Sequence, residues 1–198
     1  MAAKKETPVV ITLPKVEFKT AIIKIRGTTP LVTQPKSLKM MRNISEKQHG
    51  RAKTKKHEMR NEWEDFIESI YWLSTPPKDF TEEAFNEAAK GARYGFAVGG
   101  VKDSAIMAAM RRGLIKNAVT GRGLFQIVNT QKDMLYDKQC VEIITPKPPK
   151  MRVDCLSTFN SGADMRYRPQ FDEWSMELEV RFDAGILPLE QLLMWFQL

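Results

Sequence analysis

Two periods of hydrophobic recurrence organise this chain. From Val16 to Arg26, apolar residues (Val16, Phe18, Ala21, Ile23, Ile25) alternate with Glu17, Lys19, Lys24 and Arg26, which predicts a half-buried strand. The alternation slips once between Thr20 and Ile22, as at a β-bulge. Trp174 to Phe182 alternates without a slip: Trp174, Met176, Leu178, Val180 and Phe182 against Ser175, Glu177, Glu179 and Arg181. With Ala163 to Arg168 before it, this second run reads as a β-hairpin turning at 169–172. The helical period appears at Met59, Trp63, Phe66, Ile67 and Ile70, predicting an amphipathic helix over Glu58 to Leu73 that Pro76 and Pro77 keep from continuing. Thr81, followed by Glu82 and Glu83, is a helix N-cap, giving a short helix over 82–90. Asp103 to Arg112 is a helix with a small-residue face and Gly113 as its C-terminal stop. Pro188 opens a last helix with Leu189, Leu192, Leu193 and Phe196 on one face. Short strands are expected at 124–128, 140–144 and 152–157. Strands and helices in this mixture predict an α+β domain over 15–198 behind a loose arm, residues 1–14.

Charge changes the picture at one place. Lys36 to Arg60 holds nine Lys/Arg (36, 39, 42, 47, 51, 53, 55, 56 and 60) against Glu46 and Glu58. Nine less two is +7, which is the formal net charge of all 198 residues. The chain is therefore a near-neutral domain carrying one cationic insertion, 36–57, helical in its first half (Leu38, Met41, Ile44) and mobile around 48–56 without a partner. Concentrated cations of this kind neutralise phosphates and release their counterions. Lys36, Lys39, Arg42, Lys47, Arg51, Lys53, Lys55, Lys56 and Arg60 are thus the first candidates for a nucleic-acid contact. A second group is Arg111, Arg112 and Arg122, where cations also complement a helix C-terminus. A third is Arg166-Tyr167-Arg168, an aromatic between cations of the sort that stacks a base while its neighbours hold phosphates.

Other chemistry is thinly represented. The glycines at 91, 95, 99 and 100 match neither a dinucleotide fingerprint nor a P-loop, and Gly121-Arg122-Gly123 is a candidate phosphate turn. The two cysteines, Cys140 and Cys155, form no CxxC pair, and the two histidines, His49 and His57, sit among lysines, so no cofactor, metal site or catalytic constellation is expected. A histidine in that setting could serve metal-independent RNA cleavage, the weakest of the functional readings. A polar start and the absence of a run of about 20 apolar residues point to a soluble, cytoplasmic protein with no membrane segment. The sequence stops inside its last amphipathic pattern, which suggests a longer protein or a covering partner.

The stretches IKIRGTTPLVTQ, WEDFIESIYWLS, GFAVGGVKDSAIMAA and MRYRPQFDEWSMELEVRFDAG resemble a family of uncharacterised proteins of tailed bacteriophages, over nearly the whole chain. The resemblance implies a continuation into a further strand, and so a ferredoxin-like βαββαβ antiparallel sheet with a helical and β insertion, here lacking its last strand. That is the order of RNA-recognition modules and of the repeat-associated (RAMP) proteins of CRISPR complexes. The function expected is single-stranded DNA or RNA binding by a homo-oligomer in the infected host, in replication, recombination or annealing. The alternative is a protein-binding or assembly module, either a virion component or an inhibitor of a host defence complex.

Overall fold

In the computed structural model, residues 16–35, 38–49, 60–158 and 162–197 are described. The elements in chain order are β1 (Phe18–Arg26), β2 (Leu31–Val32), α1 (Leu38–Gln48), α2 (Glu62–Glu68), β3 (Tyr71–Trp72), α3 (Glu82–Ala88), β4 (Tyr94–Ala97), α4 (Val98–Arg111), α5 (Ala118–Gly123), β5 (Phe125–Ile127), β6 (Gln131–Lys132), β7 (Gln139–Ile143), β8 (Lys150–Thr158), β9 (Gly162–Phe171), β10 (Ser175–Asp183) and α6 (Leu189–Phe196). The class is α+β, and every strand pairing is antiparallel.

The described residues form three small sheets, in the orders β1-β10-β5, β2-β9-β8 and β3-β4-β7-β6. The first and third meet at a seam, where Ile144 and Ser175 exchange two backbone hydrogen bonds of 2.9 Å. A single cluster of buried side chains runs beneath them. Leu178 and Val180 of the central strand β10 are fully buried, as its strict alternation requires. On one side Trp63, Phe66, Trp72 and Phe85 pack edge-on from α2, β3 and α3, and Tyr94 of β4 lies tilted against Trp72. On the other, Phe125 sits between Trp195 and Phe196 of α6.

The predicted caps at Thr81 and Gly113 are formed: the Thr81 hydroxyl accepts from Ala84 N, and Gly113 adopts a φ of 72° that a Cβ would strain. Pro188 stands one position earlier than expected, at the N-cap of α6.

Four expectations are corrected. The helix predicted over 58–73 spans only Glu62–Glu68. Asn61 caps its start by accepting from Trp63 N and Glu64 N, and the apolar run after it turns into β3, whose Tyr71 and Trp72 pair with β4. The slip in β1 is no bulge, because all nine residues keep register against β10 and Phe18 and Ile22 simply face solvent. Gly121-Arg122-Gly123 ends a helix rather than forming a phosphate turn. Finally, the strands read as a 163–182 hairpin do not pair. β9 lies between β8 and β2, and the place beside β10 is taken by β5. The antiparallel β1–β10 pair is compatible with a ferredoxin-like order, but the strand order as a whole does not reproduce it.

Candidate nucleic-acid interface

The long β8–β9 hairpin builds a densely charged surface from a period of two. Arg152 stands opposite Arg168, Asp154 opposite Arg166, and Leu156 opposite Asp164, so these six positions share one face. On it Asp154 accepts from Arg152 Nε (2.9 Å) and Arg168 Nε (2.9 Å), and Asp164 accepts from Arg166 Nε (3.0 Å) and Arg60 Nη1 (2.9 Å). Arg60 also pairs with Asp65 in the first turn of α2. Each aspartate thus joins two guanidinium groups. The four arginines outnumber Asp65, Asp154 and Asp164 by one.

α2 lies along β9. Ser69, just past its C-terminal end, donates its hydroxyl to the backbone oxygen of Tyr167 (3.1 Å). Arg60, just before its first turn, reaches Asp164. The same face receives the other end of the basic insertion: Thr33 N donates to Pro169 O, and Arg168 Nη1 donates to Gln34 Oε1 (3.4 Å). The insertion therefore leaves and returns against one charged surface.

The candidates from sequence distribute unevenly. Arg60, Arg166 and Arg168 are brought together. Tyr167 is not with them: strand alternation turns it to the opposite face, opposite Val153, half-buried against the core, so the aromatic between cations does not form one surface. Arg111 is exposed at the end of α4. Arg112 binds the carbonyls of Met194 (2.6 Å) and Gln197, closing the C-terminal end of α6. Arg122 pairs with Asp103 (3.0 Å), while its carbonyl accepts from Lys102. These last two have structural employment.

Arg42 is exposed on α1, and the backbone of Lys39 and Lys47 lies in that helix, their side chains being outside the described set. Lys36, Arg51, Lys53, Lys55 and Lys56 lie outside the described residues, as does His57. His49 Nδ1 is 2.8 Å from the Ser45 carbonyl. Arg152, Asp154, Asp164 and Gln34 went unread in the sequence. The signal was there in the spacing of two at 152/154 and 164/166/168, once those runs are taken as strands.

Neighbouring guanidiniums hold the Asp154 carboxyl below the usual carboxylate range, chiefly through the hydrogen bonds from Arg152 and Arg168; Arg166 and Arg60 do the same for Asp164. A depressed carboxylate contributes stability that is present above its unfolded value, about 3.9, and is lost as pH falls through the folded value. An NMR titration of the side-chain carboxyl carbons is accordingly expected to place both midpoints below about 3.9. A midpoint at or above that value would mean that the ion pairs do not persist in solution. By contrast, burial raises the Cys140 thiol to about 12, with the charge of Asp133 adding to it, which leaves it protonated and inert at neutral pH. Cys155 is free and exposed.

Among the described residues no group of His, Cys, Asp and Glu could hold a metal ion, and no helix is long and apolar enough to cross a membrane. No family model matches the chain, and no curated protein or solved structure matches it.

Proposed function

We propose that the chain binds single-stranded nucleic acid through phosphate contacts made by the basic insertion and the arginine face of the β8–β9 hairpin. The observation that carries the reading is the convergence of the insertion's two ends on that face, through Gln34 with Arg168 and Arg60 with Asp164. The aspartates space the guanidiniums, and in the ion pairs among the described residues Arg152 and Arg166 each use Nε, so that their Nη donors are the ones offered to phosphate. With Tyr167 turned away, recognition rests on the backbone rather than on bases and is expected to tolerate any sequence. A setting in phage replication, recombination or annealing, in the cytoplasm of an infected bacterium, belongs to the same proposal. So does a fold related to the ferredoxin-like group, with several copies acting along one strand.

The test is binding to labelled single-stranded DNA, single-stranded RNA and duplex DNA across a salt series. Each phosphate neutralised on a single strand contributes about −0.7 to the slope of log K against log salt. The triple variant R152Q/R166Q/R168Q is expected to flatten that slope by about 1 to 2 and to weaken binding about tenfold or more near 0.1 M salt. An unchanged slope would remove the hairpin face from the interface. No binding at low salt would remove the reading altogether.

One observation favours the assembly-module alternative. Leu38, Met41 and Ile44 form an apolar stripe on α1, each 36–38% exposed, which suits a protein partner. Association with a protein that persists at high salt, without retention on oligonucleotides, would select it.

A further inference from the structure

Among the described residues the first strand carries an edge with no partner, and its chemistry is self-complementary. Glu17 O accepts from Ala184 N (2.8 Å) and Gly27 N donates to Trp174 O (3.0 Å). In an antiparallel ladder with this register, the odd positions from 17 to 27 bond to β10. The backbone N–H and C=O groups of Phe18, Thr20, Ile22, Lys24 and Arg26 then point to the other edge, where no described strand pairs. Long edges are ordinarily blunted by proline, by a bulge, by shortness or by charged side chains, of which β1 carries Lys19, Lys24 and Arg26. β1 is nine residues long, holds no proline and keeps an unbroken register. Its Lys24 leans back over its own sheet to Glu177 (3.1 Å), away from the edge. Phe18 and Ile22 are 60% and 65% exposed on the outer face.

The inner side of the same edge is apolar at Ala21, Ile23 and Ile25 and carries Lys19 near its start. A cleft of about 700 Å3 lies between β1 and α6; Ile23, Ile25, Trp174, Leu193 and Phe196 form its apolar wall, and Lys24, Arg26 and Gln197 stand at its polar side. A second hollow of about 420 Å3 holds Ala21 and Leu189 near the start of α6. Leu189 and Leu193 are each 41% exposed. An added strand would lay its inward side chains over these hollows.

We infer that the occupant is a second copy of this chain, pairing β1 with β1 about a two-fold axis through Ile22. That register sets Ile22 against Ile22 of the second copy, Thr20 against Lys24 and Phe18 against Arg26 on the outer face. On the inner face it sets Ala21 against Ile23 and Lys19 against Ile25. No like charges are opposed, and an arginine meets an aromatic ring. The axis stands perpendicular to the sheet, so both α6 helices lie on the same side of it. The product is a continuous six-stranded sheet, β5-β10-β1 followed by its mirror order. It stands apart from the nucleic-acid reading and is measured without nucleic acid, so either can fail alone.

The experiment is light scattering or sedimentation of the purified chain at micromolar to tens-of-micromolar concentration, for the wild type, Ile22→Lys, Ile22→Glu and a mixture of the two variants. The wild type is expected at twice the 22.7 kDa of one chain. Each variant alone sets like charges face to face on the axis and is expected to weaken self-association at least about tenfold while its far-UV circular dichroism stays that of the wild type, because Ile22 lies outside the core. The mixture is expected to recover a dimer of one copy of each, which only a direct 22-to-22 contact produces. Thr20→Pro is the second probe: it removes an N–H from the open edge while leaving the β10 ladder intact, and it should also give monomers. A monomeric wild type, a dimer indifferent to all three substitutions, or a mixture that stays monomeric would each overturn the inference.

Discussion

Replacing Trp195 by alanine should cost about 3–5 kcal/mol, the range for emptying a large aromatic site in a core. Trp195 is fully buried, with its ring 6.0 Å from Phe125 and tilted 73° to it in an edge-on contact. With Leu192 and Phe196 it seats α6 against the sheet of β1, β10 and β5. Total stability for a domain is about 5–15 kcal/mol, so the loss is a large share of the whole. At about 2–4 °C per kcal/mol for a chain of this size, the thermal midpoint should fall by about 6–20 °C. The companion variant Trp195→Phe separates volume from polarity. The indole N–H is buried without a hydrogen-bond partner among the described residues, so removing it relieves a cost while most of the ring volume stays. Phenylalanine there should cost less than about 1.5 kcal/mol. If urea denaturation showed alanine costing under about 1 kcal/mol, α6 would not be seated as described.

The largest effect on binding is expected from the insertion itself. Changing Arg51, Lys53, Lys55 and Lys56 together to glutamine removes four of the nine cations between residues 36 and 60. If each neutralises one phosphate, the salt slope should flatten by about 3 and affinity near 0.1 M salt should drop by two to three orders of magnitude, on a contribution of about 0.7 per phosphate. The loss should be alike across oligonucleotide sequences, since phosphate contacts position a strand without reading it. Folding stability should be unchanged, which circular dichroism and a thermal scan would check. A quadruple variant that binds as tightly as the wild type would show that the charge concentration serves something other than phosphate.

Much of the fold was legible because local periodicity reports burial. β10 shows this most directly, where every second residue from Met176 to Phe182 is buried as the alternation states. Periodicity does not report which strand lies next to which. β9 and β10 are adjacent in sequence and each reads as a strand, yet Phe171 belongs to one sheet and Ser175 to another. The partner of β9 is β8, across residues 159–161, and the partner of β10 is β1. The same limit applies to the site. Arg166, Tyr167 and Arg168 are consecutive, which suggests one cluster, but a strand sends the tyrosine one way and the arginines the other. Asp154, which accepts from Arg168, lies fourteen residues from it, a pairing that only the hairpin register creates. The cationic insertion, by contrast, is a property of composition and needed no fold to be seen.

The β1–β10 pair has a consequence for how the molecule is made. Ile23 and Leu178 face each other although 155 positions separate them along the chain. At a synthesis rate of about 5–20 residues per second, β1 emerges about 8–30 s before its partner exists. Through that interval both of its edges are open, and its apolar residues, Ile23 and Ile25 included, have no sheet to join. The nascent chain thus carries a ready strand while the next 155 residues are made, which makes it a natural client for chaperones that shield extended apolar segments. Polysomes that crowd several such chains together would raise the chance that β1 finds a copy of itself before it finds β10.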